Sequence, residues 1–376
     1  MALLTEEQNI IRDQARAWAD EKAPVNAFRH VRDEGSGFDL NTWREMVELG
    51  WTGLLVPEAH GGAGLGYLTF GLVLEQLGRN LVASPLLASS LAGVVAVLEA
   101  NDDAHAQQLL PGIVSGEVIT TLAIDEGPRH APQRISMQAQ SNADGFVLSG
   151  VKSTVMEGMS ATHFIVAART DTAAAGMDGL SLFVVPADAP GLTRTDMQIM
   201  DGRGYAVVQF DGVQLESGAV LGQVGAGGAV LAVTLERAAA AQSAEMLGGA
   251  SRAFEMTLEY LKTRKQFGNI IGGFQALGHR AAEMYGAMEL SRSCAEAALT
   301  GPDAGAEDAS ELCALAKAKV GDCLFLMSNE LIQMHGGIGM TDEFDAGLYL
   351  KRARAQEAVF GNRAFHRNRY AELIGF

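Results

Sequence analysis

The chain has 376 residues, 48% of them hydrophobic and 19% charged, enough to bury two or three domains and too apolar for a disordered polypeptide. Its formal net charge of −17 disfavours nucleic acid and anionic membranes as general partners, so any anionic ligand must be met by local cations. The longest apolar runs, such as residues 86–97, stop short of a bilayer span, and no membrane insertion is expected.

In chain order, Thr5-Glu6-Glu7-Gln8 forms a capping-box pattern, followed by apolar Ile10, Ile11, Ala15 and Trp18. That spacing predicts an amphipathic helix and lacks the features of a signal peptide. Residues 39–55 carry Leu40, Trp43, Met46, Val47 and Leu49 at helical spacing. Gly61, Gly62, Gly64 and Gly66 then break the pattern. This stretch lacks the ending of a phosphate loop and the glycine spacing of a dinucleotide fold, and reads as a structural loop.

From 119 to 222 the texture changes. Short β-type runs at 135–140, 146–148, 164–168, 180–185 and 207–210 are separated by turn signals at 143–145, 177–179 and 211–212. A small β-barrel or sandwich fits that spacing. Helices return from Gly227, over 231–261, 274–300 and 310–335, with a polar link at 301–308 and a last segment after Asp345. The order is helical, β, then a four-helix bundle. Cys294, Cys313 and Cys323 have no paired or metal-ligand spacing and read as buried apolar residues in a reducing compartment, the cytoplasm.

Two stretches carry chemistry, 260–275 (YLKTRKQFGNIIGGFQ) and 333–341 (QMHGGIGMT). Arg264, Gln266 and Phe267 follow a long helical run, where a guanidinium fork can reach a pyrophosphate and an aromatic face can cover a ring. Gln275 and Gln333 can bond sugar hydroxyls, and Gly336-Gly337 admits close backbone approach. On chemistry alone, a glutamine beside two glycines also fits a helix-ending turn. His279 and His335 have no nucleophile at a recognisable spacing, and no cluster has metal-ligand spacing. Lys351, Arg352, Arg354, Arg363, Arg367 and Arg369 read as a solvated helical face.

The Arg-x-Gln-Phe-Gly…Phe-Gln and Gln-x-x-Gly-Gly-x-Gly patterns resemble those of the acyl-CoA dehydrogenase flavoproteins. Further similarity lies in Leu3-Leu4-Thr5-Glu6-Glu7-Gln8 and in Gly50-Trp51…Val56-Pro57-Glu58…Gly61-Gly62. The resemblance implies an α+β chain with an N-terminal helical domain (1–118), a middle β-barrel domain (119–222) and a C-terminal four-helix bundle (223–376). It implies FAD, bound for the neighbouring subunit by Arg264, Gln266, Phe267, Ile271, Phe274, Gln275, Gln333, Gly336, Gly337 and Asn362. It implies α,β-dehydrogenation of an acyl-CoA thioester, with an electron-transfer flavoprotein or similar acceptor.

The middle domain departs from that pattern. Asp125-Glu126-Gly127-Pro128-Arg129-His130 stands where the family carries Thr-Glu-Pro and Gly-Ser-Asp, and Thr154-Val155-Met156 stands for its Trp-Ile-Thr. Methionine cannot donate the hydrogen bond that threonine would. A strand from Lys152 to Met156 that packs only as core is the competing reading. The family's catalytic glutamate aligns with Phe360, before Gly361-Asn362, and its alternative position on the preceding long helix aligns with Ala238. Glu236 is the candidate base only if that helix is shifted or bulged, because two residues turn it by about 200°.

The resemblance is therefore to the partner subunit of a bacterial α2β2 heterotetramer, formed with a paralogous dehydrogenase, of the kind used in fatty acid or steroid side-chain β-oxidation. The alternatives are a self-sufficient homo-oligomer with a relocated base, and a non-catalytic scaffold.

Overall fold

The capping box at the start closes as its spacing predicts. In the computed structural model, which describes residues 3–376, Thr5 Oγ1 accepts from Gln8 N and Gln8 Oε1 accepts from Thr5 N. The helix it opens is α1 (Glu6–Lys22), followed by α2 (Val25–Glu34), α3 (Leu40–Glu48) and α4 (Gly66–Arg79). A buried π-helical stretch (Leu86–Gly93) runs into α5 (Val94–Glu99), and α6 (Asp103–Val114) follows. Eight strands come next: β1 (Thr120–Ala123), β2 (Gln138–Ser141), β3 (Gly145–Met156), β4 (His163–Arg169), β5 (Leu180–Pro186), β6 (Leu192–Asp196), β7 (Tyr205–Glu216) and β8 (Val220–Leu221). Then come α7 (Gly227–Thr263), the hairpin β9 (Lys265–Gln266) and β10 (Asn269–Ile270), α8 (Gln275–Asp303), α9 (Ala309–His335), α10 (Ala346–Ala358) and α11 (Arg363–Leu373).

These elements form two units. One comprises the chain up to His30, Tyr67–Val82 and Ala239–Phe376; the other comprises Val31–Gly66 and Ala83–Ala238. The division falls inside α7.

The second unit holds the sheet, in the order β6-β7-β3-β2-β4-β5-β8, with β1 parallel to β4. Its core gathers Leu148, Phe164, Val166, Phe183, Val185 and Val208, the inward positions of alternating strands. Some strands extend past their sequence signal and others escape it. β3 continues from the expected 146–148 through Lys152 to Met156, with register shifts after Leu148 and Lys152 that let it stay paired to β7. Strands β1, β6 and β8 carry too little periodicity over two to five residues to be seen in the sequence.

In the first unit α4 lies tightly against α7. A side-chain carbon at Gly78 would sit 2.0 Å from Glu245 O, and one at Gly248 would sit 1.9 Å from Glu75 O. Only glycine permits that approach. α8 runs past Gly301 and Pro302 to Asp303, so the expected link is shorter than 301–308. The Asp303 carboxylate accepts from Tyr67 N and Leu68 N at 2.8 and 3.0 Å, capping α4. The expected solvated arginine face is also corrected. Arg352 is buried 3.7 Å from Glu245 and over the Phe28 ring, and Arg354 and Arg363 both cover Phe325. The helix faces carrying these arginines pack inward, where their guanidinium planes stack on aromatic rings.

Candidate functional site

The first of the two stretches that carry chemistry sits where α7 ends. At Thr263 the helix stops, and the chain folds back through β9 and β10 until Ile271 N donates to Arg264 O at 2.9 Å. Ile271 is buried and anchors the turn. Phe267, at φ +52, is 89% exposed and meets the Phe274 ring edge-to-face at 6.3 Å. Gln266 Nε2 donates to its neighbour, Lys265 O, at 2.8 Å. Arg264 and Gln275 are exposed, and among the described residues no group bonds their side chains.

The second motif ends α9. Gln333 is exposed and likewise has no side-chain partner among the described residues. Gly336 takes φ +63, and a side-chain carbon on it or on Gly337 would meet nothing within 4 Å. That backbone is open to close approach. His335 Nδ1 donates to Leu331 O at 2.7 Å, and its ring lies 4.2 Å from Tyr260 and 4.6 Å from Phe344. Burial holds its pKa below the usual histidine range, so it is a neutral packing group near pH 7. Tyr260 opens one motif and His335 lies in the other, so the two are brought side by side.

Between α10 and α11 the chain makes a strained turn, with Phe360 at φ +53 and Gly361 at φ +93. Lys317, fully buried on α9, donates Nζ to Gln356 O, Val359 O and Gly361 O at 3.1, 3.0 and 3.0 Å. His366 Nε2 donates to Phe360 O at 2.7 Å. Burial pushes the Lys317 ammonium down to about 7, against the charge of Glu357, which favours the charged form. The turn is therefore rigidly held yet carries no carboxylate at 360. Glu357 pairs with Arg363 at 3.1 Å, and Asn362 Oδ1 caps α11 by accepting from Phe365 N at 2.9 Å.

In the other unit, the polar residues of the 125–156 stretch are tied inward. Asp125 bonds His130 Nδ1 at 3.0 Å and Ala131 N at 3.0 Å. Ser153 donates its N and Oγ to Asp125 O at 2.8 and 3.2 Å. The Met156 side chain is buried and its carbonyl accepts from Thr121 Oγ1 at 2.6 Å. Lys152, also buried, donates to Ile124 O, Ala167 O and Glu126 Oε1 at 3.1, 2.8 and 2.8 Å. Burial opposes the charged form of Glu126, but the Lys152 ammonium and the Ser136 donors hold its carboxyl below the usual range. Glu236 is half-buried on α7, which runs as unbroken α-helix through that segment.

Sequence reasoning did not single out Lys317; it reads Glu245 as a packed or paired structural carboxylate, and Glu245 is buried 3.7 Å from Arg352, the partner it did not foresee. The available signal for Lys317 was a lysine inside Ala314-Leu315-Ala316, with Ala318 and Val320 after it, on an otherwise apolar helical face. Among the described residues no group of three or more His, Cys, Asp or Glu could hold a metal ion, and no helix is long and apolar enough to cross a membrane.

Three family models match almost end to end: the acyl-CoA dehydrogenase N-terminal domain over residues 5–117, the middle domain over 125–213 and the C-terminal domain over 225–375. The mitochondrial 2-methylacyl-CoA dehydrogenase of Solanum tuberosum is 28% identical over 372 residues, 97% of this chain and 90% of that protein. The acyl-CoA dehydrogenase IpdE2 of Mycolicibacterium smegmatis is 28% identical over 362 residues, 95% of this chain and 96% of that one. Among solved structures, a variant of the steroid ACAD Tcur3481-Tcur3483 is 31% identical with a TM-score of 0.87, and the match covers 98% of each chain. With its N-terminal helical, middle β and C-terminal helical domains, this chain belongs to the acyl-CoA dehydrogenase family of FAD-dependent oxidoreductases, which act on CH–CH bonds of acyl-CoA thioesters.

Proposed function

We propose that this chain takes part in α,β-dehydrogenation of an acyl-CoA thioester as a subunit whose FAD-contacting residues complete a site on a neighbouring chain. One asymmetry carries the reading. In the first unit the exposed side chains of Arg264, Gln275 and Gln333 have no partner among the described residues. In the second, Asp125 is bonded to His130 and Ala131 N, and Met156 replaces the donor. Outward donors in one unit and internally bonded polar groups in the other support a subunit that completes a neighbour's site. The steroid ACAD named by two designations, Tcur3481-Tcur3483, supports an α2β2 assembly with a paralogous dehydrogenase.

The residues of the first unit fit FAD. A guanidinium fork matches a pyrophosphate, carboxamides match ribose hydroxyls, and the open Gly336-Gly337 backbone admits a phosphorylated ligand. FAD, when bound, supplies the hydride acceptor for the β-hydrogen. The chain's own part is positional. Arg264 would balance phosphate charge, Phe267 would cover a ring face, Ile271 and Phe274 would hold the hairpin, and Asn362 would fix the start of α11. Removal of the α-proton needs a carboxylate, and Phe360 cannot provide one. The base therefore comes from the neighbouring chain, and electrons leave to an electron-transfer flavoprotein or similar acceptor.

The test is flavin per protein, measured for the chain alone and after co-expression with a paralogous dehydrogenase encoded nearby. Low occupancy alone and high occupancy with turnover in the pair is the expected result. Full occupancy and turnover by the isolated chain would sink the partner-subunit reading.

A further inference from the structure

The last carbonyls of an α-helix have no helical N–H ahead of them to bond. At the end of α10 the donor comes from another helix. Lys317 of α9 is buried and directs its three N–H bonds to Gln356 O, Val359 O and Gly361 O. Its positive charge also sits at the negative end of the α10 dipole. From the far side of the turn, His366 Nε2 donates to Phe360 O at 2.7 Å. A side-chain carbon at Gly361 would lie 2.5 Å from Phe365 Cδ1 and 2.9 Å from His366 Nε2, so α11 packs directly on the turn. Phe360 at φ +53 holds a conformation that a non-glycine residue keeps only where its surroundings impose it. Lys317 and His366 are those surroundings.

The turn sets the position of a group that faces outward. Asn362 follows it directly, is exposed, and caps α11 by accepting from Phe365 N at 2.9 Å. Gln333, exposed as well, stands near the end of α9, the helix that carries Lys317. Two further ties join the same elements. Arg363 of α11 covers the Phe325 ring of α9 at 4.1 Å, and Arg354 of α10 covers it at 4.2 Å while donating to Asn329 Oδ1 at 3.1 Å. Asn362 and Gln333 are thus both placed relative to α9, and Lys317 is the buried link between that helix and the turn.

We infer that Lys317 is a positioning residue: its ammonium holds the turn at 359–361 so that Asn362 stays where it can meet FAD, and loss of one ammonium proton loosens the turn and weakens FAD binding. This rests on the cofactor reading above. The count of donors carries it. An ammonium offers three N–H bonds to three carbonyls, whereas a neutral amine offers two, so one carbonyl of the turn is released. The proton is exchangeable near neutrality, because burial holds the Lys317 pKa at about 7. Charged neighbours on the surrounding helices are engaged elsewhere. Glu357 of α10 acts on Lys317 through its charge but pairs with Arg363 at 3.1 Å. Asp322 of α9 pairs with Arg363 and Arg367 of α11, and Arg352 of α10 lies 3.7 Å from Glu245 of α7. His366 is bonded to Phe360 O.

The experiment measures equilibrium FAD binding by the protein assembled with its partner, from about pH 6 to pH 9, for the parent and for Lys317→Met. Parent affinity is expected to fall by about two- to tenfold across neutrality, the worth of one hydrogen bond. Lys317→Met, with no donor left, should begin about tenfold or more below the parent at the acid end and stay level. The parent profile decides the matter even where the variant does not fold, since an affinity that is flat in the parent overturns the inference. A profile that persists in Lys317→Met assigns the proton to another group, His366 foremost, and overturns it too. So does a variant that unfolds more readily yet keeps the parent's affinity and profile, which would make Lys317 a structural clamp alone. An assembled protein that binds no FAD at any pH overturns the cofactor reading and the inference together.

Discussion

The hairpin surface of the first unit and the Asp125 to Met156 region of the second have opposite polar habits. Around Arg264, Gln275 and Gln333 the polar ends face outward without protein partners. Around Asp125, Glu126 and Ser153 each is consumed by a neighbouring loop. Each unit also holds a buried lysine. Lys152 reaches two carbonyls and a carboxylate, whereas Lys317 reaches three carbonyls and no carboxylate. The difference teaches that the second unit has spent its polar groups on its own stability, and the first has left several outward, as the proposed cofactor role requires.

The lysines offer the largest effects. Lys152→Met leaves the Glu126 carboxylate without its ammonium partner, and breaking a buried pair this way costs about 3–5 kcal/mol. Lys317→Met orphans three carbonyls but also removes a charge that burial disfavours, so the expected loss is smaller, about 1–3 kcal/mol. Chemical denaturation measures both, and a larger loss at Lys317 would break the comparison. pH separates them further. The native pKa of Lys317, about 7, lies below its ordinary value of 10.5. Between those values the unfolded chain holds a proton the native chain has shed, so stability rises with pH through that window. The slope is at most about 1.4 kcal/mol per pH unit and should vanish in Lys317→Met.

Arg264→Ala sharpens the other half. A charge-assisted hydrogen bond to a phosphate contributes roughly 1.5–3 kcal/mol, so flavin affinity of the assembled protein should fall by about 10- to 100-fold with its melting behaviour unaltered in the flavin-free form. Equilibrium flavin titration reads this directly. Undiminished affinity would mean that the outward donors serve no cofactor.

The sequence made the long helices and the cofactor motifs legible, because both are local. Capping at Thr5, the apolar periodicity of 231–261 and the Gly336-Gly337 break are each written within a few residues. What escaped depends on distant partners. Lys317 looks like any lysine until the carbonyls of Gln356, Val359 and Gly361 are folded around it. Arg352 reads as surface charge until Glu245 and Phe28 enclose it. The two-residue β8 exists only because β5 pairs with it.

Glu236 gives the smallest expected effect and the most direct discrimination between a donated half-site and a self-sufficient one. Its candidacy requires α7 to be shifted or bulged so that position 236 takes the direction of position 238. α7 instead continues as unbroken α-helix from Gly227 to Thr263. Over two residues an α-helix turns by about 200°, so the two side chains leave the helix on nearly opposite faces. Ala238 is fully buried and Glu236 is half-buried, as that geometry requires. Glu236→Gln in the assembled pair should therefore leave substrate-driven flavin reduction within about twofold of the parent, measured by single-turnover absorbance, since a carboxylate on the helix face opposite position 238 has little leverage on the barrier. Loss of reduction with FAD still bound would identify Glu236 as the base, and the outward donors of the first unit would then complete a site between identical chains.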